Sequence, residues 1–81
     1  RALDIENEEL HLDQILIQDD SPISGKALKD CDFRNSLKVL GIIRDGKHHY
    51  HVSGNDVFQT GDILIVMGEP QDLKVFHNRL D

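Results

Sequence analysis

The sequence predicts a small α+β domain, a mostly antiparallel sheet backed by two helices in the order β-α-β-β-β-α. Three observations carry this. Short apolar, β-branched runs recur at residues 12–18, 37–43 and 63–67, lengths that suit strands better than helices. Two turn signals, Asp45-Gly46 and Gly61-Asp62, separate later segments. Near the C-terminus Leu73, Phe76 and Leu80 fall at i, i+3 and i+7, one face of an amphipathic helix.

Residues 1–11 are acidic through Asp4, Glu6, Glu8 and Glu9, with Leu3, Ile5 and Leu10 scattered among them, and are expected to be a linker. The domain proper is placed at 12–81. A first strand over 12–18 ends at the turn-forming Asp19, Asp20, Ser21 and Pro22. Ser24 offers an N-cap hydroxyl, and Ala27, Leu28 and Cys31 lie at helical spacing, which predicts a two-turn helix over 25–31. The strand over 37–43 runs into Asp45-Gly46, whose residues tolerate the positive φ of a type I′ hairpin. The returning strand, 47–52, carries His48, His49, Tyr50 and His51, and a polar break at 53–56 precedes a short 57–58 segment. Residues 63–67 are apolar on both faces, as a central strand requires. Glu69-Pro70 then opens the last helix, with Arg79 placed to suit its C-terminal dipole.

Composition bounds the partners. Eighty-one residues allow one domain, and a chain this short buries only ~60–65% of its unfolded surface, so a partner chain is expected to help stabilise it. A homodimer is predicted, with Leu37, Val39, Ile42 and Ile43 as candidate contributors. The net charge of −6 repels phosphate backbones and anionic headgroups, which disfavours nucleic acid and membrane surfaces. No apolar run approaches the ~18–20 residues needed to cross a bilayer. The single cysteine, Cys31, precludes an internal disulfide and fits a reducing compartment. A start at Arg1 without a basic or apolar leader predicts a piece of a longer chain.

The strings SPISGKAL (21–28), VLGIIR (39–44) and FQTGDILIVMG (58–68) together resemble the TrkA-C domain, the C-terminal lobe of RCK (regulator of potassium conductance) assemblies. The resemblance covers most of the chain, and its blocks agree in order and spacing. Such lobes sit on the cytoplasmic side of potassium channels, potassium-uptake systems and some cation/proton antiporters, usually after a Rossmann-like lobe. The resemblance therefore implies a regulatory, dimerising, non-enzymatic domain of a potassium channel or potassium transport protein. A purely structural assembly module is the competing expectation.

In some relatives the cleft between two lobes binds cyclic di-AMP. Carried over by position, the ligand contacts would be Ile42, Ile43, Arg44, Tyr50 and His51, with Val52 and Ser53 standing where the family often has proline. Arg44 would supply the anion contact, and Arg44→Ala is expected to remove phosphate affinity while leaving the fold intact. Two metal readings compete with ordinary solvated side chains. His49 and His51 share a strand face at chelating spacing, with a third ligand left open among His11, His77, a carboxylate or a second chain. Glu6, Glu8 and Glu9 lie where some channel relatives carry cation-regulating acids. Catalysis is not expected: no nucleophile elbow, P-loop or paired-carboxylate context is present, and Cys31 lies on the apolar side of its segment.

Overall fold

The computed structural model describes residues 2–5 and 8–80, with side chains from residue 9 onward. Five strands, β1 (Ala2–Ile5), β2 (Glu8–Leu16), β3 (Lys38–Arg44), β4 (Lys47–His49) and β5 (Ile63–Gly68), form one sheet in the order β1-β2-β5-β3-β4. Every pairing is antiparallel. The α+β class holds, and the apolar run near the C-terminus is the central strand, as its two-sided hydrophobicity requires. Strand pairing starts earlier than position 12: residues 8–11 belong to β2 and pair with β1, so both paired segments fall within the stretch expected to be a linker.

Strand alternation divides β5. Leu64 and Val66 are fully buried on one face, whereas Ile63, Ile65 and Met67 are half-buried on the other. The buried face is covered by α1 (Pro70–Leu80), which sets Leu73 and Phe76 into the core with Leu80 at its margin. Phe76 meets Phe33 at a ring separation of 4.8 Å, and Phe33 stacks on the fully buried Phe58 at 6.2 Å. His77 of α1 reaches Asp13 on the same face of β2 at 2.5 Å. Burial pushes the Asp13 carboxyl up, but the His77 bond and the Gln14 amide prevail and hold it below the ordinary carboxylate range.

The expected first helix is not α-helical. Gly25 adopts φ +85°, outside helical space, at the end of a turn, and Ala27 is extended beside 57–58. Gly25 N donates to Phe58 O and Phe58 N to Lys26 O, and Ala27 bridges Val57. Helical turning is confined to two 3-10 segments, Leu28–Asp30 and Asp32–Asn35. Ser24 bonds Thr60 at 2.8 Å instead of capping a helix. A Cβ at Gly25 would meet open space, so its backbone dihedral, not crowding, calls for glycine.

The proposed dimer contributors also divide. The register of β3 against β5 shifts between Val39 and Gly41, a bulge that turns both Val39 and Ile42 toward the core opposite Val66 and Leu64. Leu37, Val39 and Ile42 are therefore buried at 5%, 7% and 3% exposure and cannot meet a partner. Ile43 alone of the four stands on the open face, opposite Ile63.

Candidate functional site

The candidate site is the β3–β4 hairpin and the extended segment that follows it. Asp45 and Gly46 take φ +51° and +75°, the expected tight reversal. It pairs Ile42 with His49, Ile43 with His48 and Arg44 with Lys47. The predicted strand over 47–52 pairs only through His49, and Tyr50 then stands 70% exposed with its ring stacked on His48 at 5.7 Å.

Arg44 is not a free hairpin side chain. Its Nε donates to Asp62 Oδ1 at 2.8 Å, its Nη2 donates to Asp62 Oδ2 at 2.7 Å, and Nη2 also reaches Val57 O at 3.0 Å. This two-point fork is the strong form of an arginine–carboxylate pair. The Asp62 side chain is 1% exposed, against 31% for Arg44. Burial alone would push the Asp62 carboxyl up, yet the Arg44 fork and the Gln59 amide, which donates to Oδ2 at 2.9 Å, outweigh it and hold the acid below its ordinary range. The same fork, against a smaller opposing effect of burial, raises the Arg44 pKa. The Asp62 carbonyl accepts Ile17 N at 2.8 Å, so one residue ties the ends of β2, β3 and the turn into β5. Sequence reading found the Gly61-Asp62 turn but not this pairing, because nothing local marks a partner eighteen positions away.

The five predicted ligand residues are spread over three shallow cavities around the hairpin, Tyr50 and His51 together lining one of about 310 Å³ with Val39, Leu40, Val52 and Ser53. Arg44 and His51 line a cavity of about 130 Å³ together with His49, Val52 and Asp56. Ile43 and Tyr50 line another, of about 140 Å³, with Leu40, Gly41 and Ile65 on the open sheet face. Ile42 borders both from below. The Arg44 and Ile43 cavities are well under the ~300–1,000 Å³ of a typical small-molecule pocket, and the one shared by Tyr50 and His51 only reaches its lower end. A wider groove of about 360 Å³ between the 3-10 segments and α1 contains none of these residues.

The metal candidates are not gathered. Among the described residues no group of three or more histidine, cysteine or carboxylate side chains is placed to hold an ion. His49 and His51 do share the Arg44 cavity, but no third ligand joins them. Glu9 bonds His11 at 2.8 Å, the Glu8 side chain is not described, and Glu6 lies outside the described residues. Cys31 is buried and its Sγ donates to Ala27 O at 3.3 Å. Burial pushes the thiol up, and Asp30 and Asp32 add to this against Lys26, the opposite of an activated nucleophile. No helix among the described residues is long and apolar enough to cross a membrane.

Comparison with known proteins gives a consistent answer. The model of the TrkA-C domain family matches residues 13–81. The fold is similar to the RCK_C domain dimer of S. agalactiae BusR in complex with c-di-AMP, at 17% identity and a TM-score of 0.74 over 84% of this chain and 92% of that one. It is similar also to the RCK C domain of the potassium transport protein KtrA in complex with cyclic diadenosine monophosphate, at 22% identity and a TM-score of 0.78 over 88% and 84% of the two chains. In S. agalactiae BusR in complex with its busAB-promotor DNA, the same likeness spans 34% of that chain. Identities this low speak for the fold. No curated protein sequence matches.

Proposed function

Since the chain belongs to the TrkA-C domain family, we propose that it is a non-enzymatic regulatory lobe that pairs with a second copy of itself and binds cyclic di-AMP where the two copies meet. In this reading it acts on the cytoplasmic side of the membrane, attached to a Rossmann-like lobe, and couples the nucleotide to a potassium channel or potassium transport protein. Coupling is linkage: the ligand shifts the gate by no more than its difference in binding free energy between two arrangements of the pair.

The observation that carries this is the incomplete site. Shallow cavities of about 130, 140 and 310 Å³ surround one hairpin, and the second of them opens onto an apolar sheet face where Ile63, Ile65, Met67 and Ile43 are half-buried and Leu16 is 54% exposed. An apolar face of this kind on a small domain calls for a cover. A second copy laid against it would join the Ile43 and Tyr50 side of both protomers into one larger cleft, with Arg44 at its rim. Two related RCK C-terminal domains carry this nucleotide in their solved structures.

Light scattering and calorimetry on the isolated domain test the reading. Dimer at micromolar concentration and saturable cyclic di-AMP binding, one nucleotide per dimer, are expected. A ligand at ~100 times its Kd stabilises a native state by ~2.7 kcal/mol, readily seen as a thermal shift. The rival reading, an assembly module with no ligand, is favoured by the Arg44 fork, because Asp62 gives that arginine a structural reason to be there. Dimerisation without any nucleotide response would select it.

A further inference from the structure

Arg44 is poorly placed to hold a phosphate. Asp62 takes its Nε and Nη2 donors in the fork, and Asp45 and Asp56 lie close enough to act on its charge. Asp56 also lines the Arg44 cavity, so an anion entering there meets a carboxylate. A different cation borders the wider cavity. Strand β4 pairs with β3 only at Ile42, Ile43 and Arg44, which leaves Lys38, Val39 and Leu40 beyond its end. The cavity of about 310 Å³ opens between these three residues and the segment from Tyr50 to Ser53. Lys38 is the one lysine or arginine lining it, and no aspartate or glutamate does. Its side chain is exposed, and its ammonium forms no ion pair among the described residues. The register sets Lys38 opposite Met67, on the open face that also carries Ile63 and Ile65. Leu40 and Tyr50 line both this cavity and the Ile43 one, so the two adjoin on the side where a second copy would sit.

Resting on the reading that a second copy closes this side over cyclic di-AMP, we propose that the Lys38 ammonium, and not the Arg44 guanidinium, is the phosphate contact. Lysine binds phosphate as a mobile point charge and needs no preset fork geometry. A cyclic dinucleotide carries two phosphodiesters, and a two-fold symmetric pair presents two Lys38 side chains, one for each. Arg44 could reach a phosphate only by leaving Asp62, whose buried charge would then be stranded. Lys38 gives up nothing but water. The two basic residues thus divide the work: Arg44 holds the turn into β5, and Lys38 meets the ligand.

Calorimetric titration with cyclic di-AMP at low and at physiological salt tests this on the wild-type domain, on Lys38→Met and on Lys38→Arg. Tyr50 is the chain's single tyrosine and there is no tryptophan, so its fluorescence reports occupancy of the cleft independently. Lys38→Met keeps the apolar stem of an exposed side chain and loses only the charge, and circular dichroism checks that the fold is retained. It should bind at least ~tenfold more weakly than the wild type, the scale of a lost charge-assisted hydrogen bond, and its affinity should vary less with salt. Lys38→Arg should restore most of both. Wild-type affinity and salt dependence in Lys38→Met overturn the Lys38 assignment alone. Equal weakening in both variants overturns it too, because the site would then need the shape of lysine and not its charge. No binding by the wild type overturns the nucleotide reading and this inference with it.

Discussion

Removing the Arg44 guanidinium should cost more stability at neutral pH than in mild acid, the reverse of ordinary acid sensitivity. In the wild type the Asp62 carboxyl is 1% exposed and held below its ordinary value of 3.8 by Arg44 and the Gln59 amide. A depressed acid contributes stability that is present above its unfolded pKa and is lost only as pH falls through its folded pKa. Arg44→Ala leaves that carboxylate buried with a single amide donor, and an uncompensated buried charge costs ~3–5 kcal/mol. Protonation sets a ceiling on the loss, at about 1.4 kcal/mol for each pH unit above the unfolded pKa. The ceiling is thus about 4 kcal/mol at pH 7 and about 1.6 kcal/mol at pH 5. In the variant the folded pKa is raised, so its stability recovers as pH falls through that raised value. We expect a deficit of about 3 kcal/mol near neutrality, or ~10–20 °C in Tm, falling to about half by pH 5. Urea unfolding followed by circular dichroism at the two pH values measures it. A deficit under ~1 kcal/mol at pH 7, or one that does not shrink in acid, would refute a buried, charged Asp62 held by Arg44. Arg44→Ala/Asp62→Ala should be more stable than Arg44→Ala at neutral pH, because no charge is then stranded.

Three further outcomes are expected. Gly61 holds φ +93° where a Cβ would meet only open space, so Gly61→Val should lose ~1–2 kcal/mol from the dihedral alone. Gly54→Ala, whose Cβ would touch Lys29 Cβ at 3.3 Å without backbone strain, should lose less, and thermal melts compare the two. Ile65→Glu on the open face should abolish the dimer in light scattering while a monomer retains its circular dichroism spectrum. Phe58→Ala, at a ring that is 0% exposed, should cost ~3–5 kcal/mol and leave the domain largely unfolded at room temperature.

What local patterns dictate was legible in the sequence: the Asp45-Gly46 hairpin, the two-sided apolar strand and the helix bearing Leu73 and Phe76 all stand where chemistry and period put them. What depends on distant partners was not. The helical spacing of Ala27, Leu28 and Cys31 was overridden by backbone pairing of 25–27 with 57–58, thirty positions away. The inward turn of both Val39 and Ile42 comes from a bulge next to Gly41, which an isolated glycine inside a strand run can mark but which no strand period predicts. For the site, the residues came from resemblance: the structure sets Ile43 apart from Arg44 because alternate strand residues face apart, while Tyr50 and His51, past the end of β4, share a cavity of their own. Arg44 was expected to contact an anion, and its engagement by Asp62 was not foreseen, since that buried partner lies beyond the reach of any local rule.

The position of β5 bears on how the chain is made. β2 and β3 share no pairing with each other; both are joined only through a strand that begins at Ile63. During synthesis, everything up to the turn at Gly61 leaves the ribosome as two hairpins with nothing to hold them in one sheet. Isolated two-stranded hairpins are at best marginally stable in water. The domain therefore cannot fold progressively from its N-terminus: it waits for its last twenty residues, and until they emerge the inner edges of β2 and β3 stay open to pairing with a neighbouring nascent chain. For the pairing proposed above, the riskiest moment thus comes when copies emerge side by side, because either copy's β5 could complete the other's sheet.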